Sequence, residues 1–486
     1  MTTISSLGVG SNLDLTTLLA NIKTGEQAPL LALQKQQTSY NAKLSAYGQL
    51  NSALSALQTA STTLGKSELF QTVKATSTAS DVLSATAGPS AANGVYSVNV
   101  TSLAQAQSLA AAGVASSATT VGGGTLTFDF GTIAGGTLNA TTGTYIGAGF
   151  TVDASRTASI TIDASNNTLA GIRDAINGNS SIGVTAAIVN DGSASPSRLV
   201  LTSRQSGETS SMRISVSDNA ALPGVPTLSN LLANDPTATQ KMQQTVAAQN
   251  ANLTVNGIAV TSTSNSVSGA VQDVTITLAK LGASTLSTQS DTASVDSAIT
   301  TFVNAYNSLQ TIATKLTAFD SSTKTGAALL GDSVLRNIQV RIRSTLSSAQ
   351  AANTSGLTTL SQIGVSFQKD GTLAVDKTKL TAALSTKLSG LGNLFSGATG
   401  GYGTQMAVLI GGFTGTEGML STATTGINTT LASLSKQYDA TSARIDTTVA
   451  RYKAQFTALD KMMNSMNATS TYLKQQFDAI NNSTSK

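Results

Sequence analysis

The C-terminal end of the chain carries a heptad pattern that restricts it to one long helix. Apolar side chains recur at spacings of four and three residues with Ser470 as the exception, and neither Pro nor Gly follows Gly426. The positions are Ile445, Val449, Tyr452, Phe456, Leu459, Met463, Met466, Ser470, Leu473, Phe477 and Ile480. A stripe this narrow is typical of a coiled-coil seam, because a helix on a globular core shows about three apolar positions per heptad. The pattern predicts coiled-coil or bundle packing and a surface for oligomerisation.

The N-terminal segment has a weaker pattern of the same kind. A helix is predicted from about Asn12 to Leu64, and its seam is interrupted by the amides of Gln37 and Asn51. Amides in a seam weaken a coiled coil but fix its register or its partner. Two interpretations stay open, a seam for a partner helix and an ordinary helix in the chain's own core. The apolar seam positions are Leu30, Leu33, Tyr40, Leu44 and Tyr47.

Between these ends the pattern changes to that of β-strands. Residues 82–128 contain no charged side chain, and Asp129 is the only one before Asp153. Val, Ile and Leu alternate with Thr and Ser, and glycine pairs separate the runs, which predicts short strands joined by turns. An uncharged polar region is also compatible with disorder, but the regular alternation favours strands. One short helix is predicted at 169–176, and Pro223, Pro226 and Pro236 mark a connecting stretch.

Helical periodicity returns after Asp291. Asp332 and Asp376 are predicted helix N-caps, and Asp370-Gly371 between two alternating runs predicts a hairpin with a type I′ turn. The expected fold class is therefore α+β and multidomain, with long coiled-coil-like helical ends paired as a stalk or leg and mainly β head domains inserted between them. We expect a terminal coiled-coil domain (1–43 with 438–486), a helical leg domain (44–70 with 291–437), an inner β head domain (71–104 with 240–290) and an outer β head domain (105–239).

The composition excludes several kinds of catalytic site. The chain has no His, Cys or Trp, so it has no Ser-His-Asp triad, thiolate nucleophile, imidazole-ligated metal or disulfide. Three motifs of penicillin-recognising enzymes occur, at 321–324, 217–219 and 324–326, but the motif at 217–219 precedes the S-x-x-K that should come first, and Lys324 would have to serve twice. Gly65-Lys66-Ser67 lacks the earlier glycine of a phosphate loop, and we interpret Gly65 as a left-handed helix C-cap. No catalytic, cofactor-binding or metal-binding residue is assigned, and we expect no enzyme.

Charge and hydropathy restrict the partners. The formal net charge of +4 is spread over 486 residues without a basic run, which argues against nucleic-acid binding. No apolar run approaches the length needed to span a bilayer, so membrane insertion is not expected. The first basic side chain is Lys23, so the N-terminus lacks the pattern of a secretory signal. The chain is expected to be cytosolic or exported by a route that reads another signal.

Several segments, in order along the chain, resemble the flagellar filament cap protein family, also called flagellar hook-associated protein 2. They are ISSLGVGSNLDL (4–15), GVYSVNVTSLAQAQSL (94–109), TLAGIRDAIN (168–177), FVNAYNSL (302–309), GDSVLRNI (331–338), IGVSFQKDGTLAVDKTKL (363–380) and FTALDKMMNSMNATSTYLKQQF (456–477). Each motif is modest by itself, but their common order makes the resemblance specific over most of the chain.

The resemblance implies a structural cap at the distal end of the bacterial flagellar filament. Such a cap is a ring-like homo-oligomer, five-fold in the best-known case, that promotes flagellin folding and polymerisation and prevents loss of subunits. It implies flagellin and hook–filament junction proteins as partners, and an export chaperone that binds the C-terminal helix. It also implies an extracellular location at the flagellum tip, reached through the flagellar type III system without a cleaved signal peptide.

The seams suggest how such a cap would work. Because polar positions dilute both seams, we expect an isolated monomer to hold its terminal helices weakly and to order them against neighbouring cap or filament subunits. The β region should fold independently. A bacterial surface adhesin and another hook-associated axial protein remain as alternatives, although the segment 363–380 favours the cap.

Overall fold

The structure, a computed structural model, describes residues 14–220, 223–350, 356–397 and 400–484, with side chains to residue 481. The chain divides into a helical unit (Met1–Phe70 and Thr292–Lys486) and a β unit (Gln71–Asp291). The β unit is thus a single insertion into the helical unit. Its two ends lie side by side, because the N–H of Asp291 donates to the carbonyl of Thr72 over 2.8 Å.

Two helices form the N-terminal part of the helical unit, α1 (Leu15–Glu26) and α2 (Ala28–Leu64). The carboxylate of Asp14 accepts a hydrogen bond from the N–H of Thr17 over 3.0 Å and caps α1. Pro29 lies in the first turn of α2, where the missing N–H breaks no helical hydrogen bond. The predicted N-terminal helix is confirmed over these ranges, and its expected start near Asn12 lies outside the described residues.

The β unit consists of antiparallel strands with two helices among them. In chain order the strands are β1 (Val73–Ser77), β2 (Leu83–Ala87), β3 (Gly94–Ser102), β4 (Ser108–Ala110), β5 (Gly124–Ala134), β6 (Thr137–Asn139), β7 (Thr144–Ile146), β8 (Gly149–Ile162), β9 (Val184–Asn190), β10 (Ser197–Ser203), β11 (Ser211–Asp218), β12 (Gln243–Val246), β13 (Ala251–Val255), β14 (Ile258–Ser262), β15 (Ser266–Val271), β16 (Val274–Leu278) and β17 (Gly282–Ser290). The helices are α3 (Leu169–Gly178) and α4 (Leu228–Leu232).

These strands enclose two separate hydrophobic cores. A five-stranded sheet (β1-β17-β3-β13-β14) and a three-stranded sheet (β15-β16-β2) supply the inner core, which includes Leu83, Val98 and Ile276. A four-stranded sheet (β12-β4-β10-β9) and a three-stranded sheet (β11-β5-β8) supply the outer core with α3 and α4. The mainly β middle is confirmed.

The remaining elements complete the helical unit. They are α5 (Thr292–Thr317), β18 (Phe319–Asp320), β19 (Thr325–Gly326), α6 (Ser333–Ser347), β20 (Val365–Phe367), β21 (Leu373–Val375), α7 (Lys377–Thr386), α8 (Leu388–Ser396), α9 (Tyr402–Thr414) and α10 (Met419–Thr484). Asp332 and Asp376 cap α6 and α7 as predicted, because their carboxylates accept from the N–H groups of Leu335 and Lys379. The apolar faces of α2, α5 and α6 meet in one core that includes Leu54, Phe302 and Ile338.

Two local predictions are wrong. β20 and β21 form the expected hairpin, but Asp370 does not have the positive φ of a type I′ turn. Of Asp370 and Gly371, only Gly371 is left-handed, with φ 84°. The N–H of Gly371 donates to the carbonyl of Gln368 and closes the turn of the hairpin. Gly65 ends α2 but is right-handed, with φ −76°. The small size of Gly65 instead allows α2 and α9 to approach closely, because a Cβ there would lie 3.2 Å from the N of Thr404 in α9.

Candidate assembly interface

The predicted N-terminal seam packs on α10 within the helical unit. The amide of Gln34 in α2 donates to the hydroxyl of Tyr438 in α10 over 3.2 Å. Farther along α2, Leu44 and Tyr47 line one groove with Leu420 of α10. Rising residue numbers on one helix therefore face falling numbers on the other, and α2 and α10 pack antiparallel.

The N-terminal seam residues lie mostly in this internal packing. Leu30 and Tyr47 are 8% and 4% exposed, whereas Leu33, Tyr40 and Leu44 are half-buried. Tyr47 also makes a polar contact, since its hydroxyl donates to Oδ2 of Asp332 over 2.7 Å. Burial, together with this bond to a carboxylate, raises the pKa of Tyr47, so its hydroxyl stays protonated and joins α2 to the N-terminus of α6.

Burial falls along the C-terminal seam. Ile445 is 2% exposed, and half-buried residues follow it: Val449, Tyr452, Phe456 and Met463. Leu459, which lies between the last two of these, is 37% exposed, and the apolar seam residues from Met466 onward are 50–64% exposed. We call the exposed residues the terminal stripe: Leu459, Met466, Leu473, Phe477 and Ile480. Half of one predicted seam therefore lies inside the chain's own bundle, and the other half faces solvent.

The terminal stripe has the chemistry of an assembly surface. Burying a large apolar side chain stabilises a contact by about 1.5–3 kcal/mol, so these residues favour a partner helix or groove. Met462 and Tyr472 are also more than half exposed, yet they lie beside the seam and were missed by the heptad pattern. A search for large side chains next to the seam positions would have found them.

The structure separates the predicted seam residues into two groups. Leu30, Tyr47 and Ile445 are buried within the helical unit and expose little surface to a second subunit. The residues of the terminal stripe are 37–64% exposed. The assignment of the seam residues to contacts between subunits or with the filament stays a prediction.

The residues of the enzyme-like motifs are distributed over both units. Ser321 and Lys324 lie in the exposed turn between β18 and β19, whereas Ser217 belongs to β11 of the other unit. Hydrogen bonds from Ser322 and Thr323 lower the pKa of Asp320 to about 2, which identifies this carboxylate as a charged turn cap. Among the described residues, no group of His, Cys, Asp or Glu could hold a metal ion. The described part of the chain also contains no helix long and apolar enough to cross a membrane.

The sequence matches two family models. The model of the flagellar hook-associated protein 2 N-terminus matches residues 11–107, and that of its C-terminus matches residues 248–468. The flagellar hook-associated protein 2 of Escherichia coli K12 is 40% identical over 500 residues, which cover 100% of both chains. The protein of that name from Salmonella typhimurium is 39% identical and covers 99% of this chain and 100% of its own.

A solved structure is similar as well. The crystal structure of the D1-D2-D3 domains of the flagellar cap protein FliD from Escherichia coli aligns with a TM-score of 0.64 and 36% identity. The alignment covers 79% of this chain and 99% of that chain.

Proposed function

Because this chain belongs to the flagellar hook-associated protein 2 family, we propose that it is the structural cap at the distal end of a bacterial flagellar filament. In this role it is an oligomeric plate that promotes flagellin folding and polymerisation at the tip and prevents loss of subunits. The observation that carries the proposal is the full-length similarity to flagellar hook-associated protein 2, joined to a fold with one long exposed apolar helix end.

The terminal stripe is the contact through which the cap engages its neighbours. The half of α10 that packs on α2 holds each subunit together, and Met466, Leu473 and Phe477 bind an adjacent cap or filament subunit. Such a contact suits a cap that moves with each added flagellin, since one helix end can be released without unfolding the core of the helical unit.

The partners and the location follow from the same role. The cap is a ring-like homo-oligomer, with five subunits as the working number, and contacts flagellin and hook–filament junction proteins. Before export, a chaperone covers the C-terminal helix and keeps the terminal stripe from aggregating. The chain leaves the cell through the flagellar type III system without cleavage of a signal peptide and remains at the filament tip.

The four-domain division belongs to this proposal. The two hydrophobic cores of the β unit support an inner head domain (71–104 with 240–290) and an outer head domain (105–239), except that Met242 and β12 belong to the outer core. The leg domain (44–70 with 291–437) and the terminal coiled-coil domain (1–43 with 438–486) divide the helical unit within α10, a few residues before Ile445, after which burial falls. The protein acts by binding and not by catalysis, which the dispersed motif residues support.

A complementation experiment tests the proposal. A strain without its own copy of this gene receives the triple variant Met466→Gln/Leu473→Gln/Phe477→Gln. Loss of three apolar side chains that become buried in the contact weakens association by about 4 kcal/mol, or about a thousandfold. We expect swimming to be lost and flagellin to increase in the culture medium.

The control variant carries the same number of Gln substitutions in α10, at positions outside the seam. Ser465→Gln/Ala468→Gln/Thr471→Gln changes exposed positions outside the seam and should leave swimming intact. Normal swimming by the stripe variant would contradict the role of the terminal stripe. Normal swimming and no flagellin loss in the strain without the gene would contradict the cap function, and would leave the adhesin as the alternative.

A further inference from the structure

The edge of β14 that faces away from β13 has no neighbouring strand in the described part of the chain. β14 pairs with β13 through the two-residue turn Asn256-Gly257, whose φ angles of 51° and 83° fit a type I′ turn. In such a hairpin the flanking pair Val255 and Ile258 exchange both hydrogen bonds, so the N–H and C=O groups of Ala259 and Thr261 point away from β13. Both residues are exposed, and these groups have no backbone partner in the described part of the chain.

Three other edges of the β unit, at β12, β9 and β11, are covered at least in part. The N–H of Gln244 in β12 donates to the carbonyl of Gly143 over 2.9 Å. The side-chain amide of Asn177 takes the place of a neighbouring strand beside β9, with bonds of 2.9 and 2.8 Å to the N–H and C=O of Ala186. Asn234 exchanges two backbone bonds with Ile214 of β11. Proteins cover sheet edges in this way because bare edges pair with other chains.

β14 also lacks the features that discourage pairing. The strand contains no charged residue and no Pro, and its register with β13 has no bulge. β1, at the opposite edge of the same sheet, carries Lys74. On the core-facing side of β14, Ile258 is 70% exposed and Val260 is only partly covered by the inner core. The strand therefore offers free backbone groups and an apolar side at once.

We propose that β14 pairs with β14 of a second copy of this chain, antiparallel across a two-fold axis at Val260. The arrangement is self-complementary, because Ala259 of each copy lies opposite Thr261 of the other and both pairs satisfy their outward N–H and C=O groups. Val260 meets Val260 of the second copy on the apolar face, and Ile258 lies opposite Ser262. No like charges face each other across the axis. This is necessary when two identical edges pair, because any charged residue near the axis would face its own copy.

The contact is separate from the terminal stripe. It links two copies through the β unit by a two-fold axis and plays no part in holding the filament, so it goes beyond the cap function. A strain that swims normally with a disrupted β14 edge would leave the cap proposal untouched, and loss of the cap function would leave this pairing testable in the purified protein.

Cysteine cross-linking tests the register, since the chain has no cysteine of its own. In the proposed pair the two Val260 Cα atoms lie about 4.5 Å apart, which suits a disulfide. The two Ile258 Cα atoms are offset by four residues along the strand, or about 13 Å. In the full-length protein under mild oxidation, we expect Val260→Cys to form disulfide-linked dimers and Ile258→Cys to form few.

The comparison distinguishes pairing from chance collision. Ile258 is the more exposed of the two, so random collisions would cross-link Ile258→Cys faster. Equal rates, or a faster Ile258→Cys, would overturn the proposal.

A second pair of variants tests the hydrogen bonds without an introduced thiol, since one of them removes an N–H donor from each copy and so two hydrogen bonds from the pair. Ala259→Pro deletes an N–H that points to solvent and leaves the β13 ladder intact, whereas Ala259→Ser retains the N–H. In sedimentation velocity we expect the wild type and Ala259→Ser to show a species in which two copies are paired. Ala259→Pro should not show this species. Identical profiles for the two variants would refute the pairing.

Discussion

Asp129 is a carboxylate in an otherwise uncharged stretch, and its partners explain why it is there. It lies in β5 and is 6% exposed. Its Oδ2 accepts from Nη2 and Nε of Arg213 over 2.7 and 3.1 Å, and its Oδ1 accepts from the hydroxyl of Thr157 over 2.8 Å. β11, β5 and β8 are neighbours in that order, so the three residues join all the strands of one sheet. The buried carboxylate is tolerated because both of its oxygens accept hydrogen bonds and Arg213 supplies the opposite charge.

Removal of this charge should destabilise the β unit. Asp129→Asn keeps the shape but leaves Arg213 without its counter-charge. Breaking a buried ion pair costs about 3–5 kcal/mol, and partial exposure of Arg213 lowers the expected loss to about 2–3 kcal/mol. Urea unfolding measures the change, and the double variant Asp129→Asn/Arg213→Gln should lose less than the sum of the single variants. Strict additivity would show that the pair contributes no coupling.

The ends of α2 and α9 show how two glycines set a helix contact. A Cβ on Gly403 would lie 2.6 Å from the N of Gly65 and 2.8 Å from the carbonyl O of Ser61. These are backbone atoms, which cannot move aside as a flexible side chain can. The first turn of α9 therefore packs on the last turn of α2 at a distance that only glycine permits.

Alanine at two positions of α9 should have opposite effects. Gly403→Ala forces the helices apart and should lower the free energy of unfolding by about 1–3 kcal/mol. Gly412→Ala meets no atom within 4 Å and should be neutral or raise it by up to about 1 kcal/mol, because alanine favours the helix. Urea denaturation with circular dichroism at 222 nm, the helix band, compares the two. Equal effects would mean that the close contact does not limit packing.

At the scale of the whole molecule, the described residues form closed cores in each unit, and the end of α10 is left open. The helical unit and both parts of the β unit bury their apolar faces, whereas α10 runs beyond the bundle and exposes Leu473 and Phe477. Helix ends with little packing open most easily. The expectation that both terminal segments are weakly held stays a prediction, and the structure points first to the end of α10, because α2 buries Leu30 and the core-facing residues from Ala46 onward in its own unit.

Limited trypsin digestion checks this difference. In the isolated protein we expect cleavage first at Lys461 and Lys474, which are exposed in the open end, and later at Arg444, beside the buried Ile445. In filament-bound protein the first two sites should be protected. Equal cleavage at Arg444 and Lys474, or no protection on the filament, would contradict ordering of this end by neighbours.

The sequence alone determined the kind of structure along the chain. Heptad spacing, strand alternation and aspartate caps predicted α2, α10, the mainly β middle and the starts of α6 and α7, because these signals act between residues a few positions apart. The seam positions themselves were also visible in the sequence. What they contact was not, since a heptad pattern is the same whether its partner is α2 or another molecule.

The tertiary structure decided everything that depends on distant residues. It buried Ile445 against its own bundle and exposed Phe477, and it left β14 without a neighbour while Asn177 covered β9. It also made Gly65 a point of close approach and not a left-handed cap. Burial and close contact arise when segments far apart in the sequence meet, as Gly65 and Thr404 do, and no local pattern contains that information.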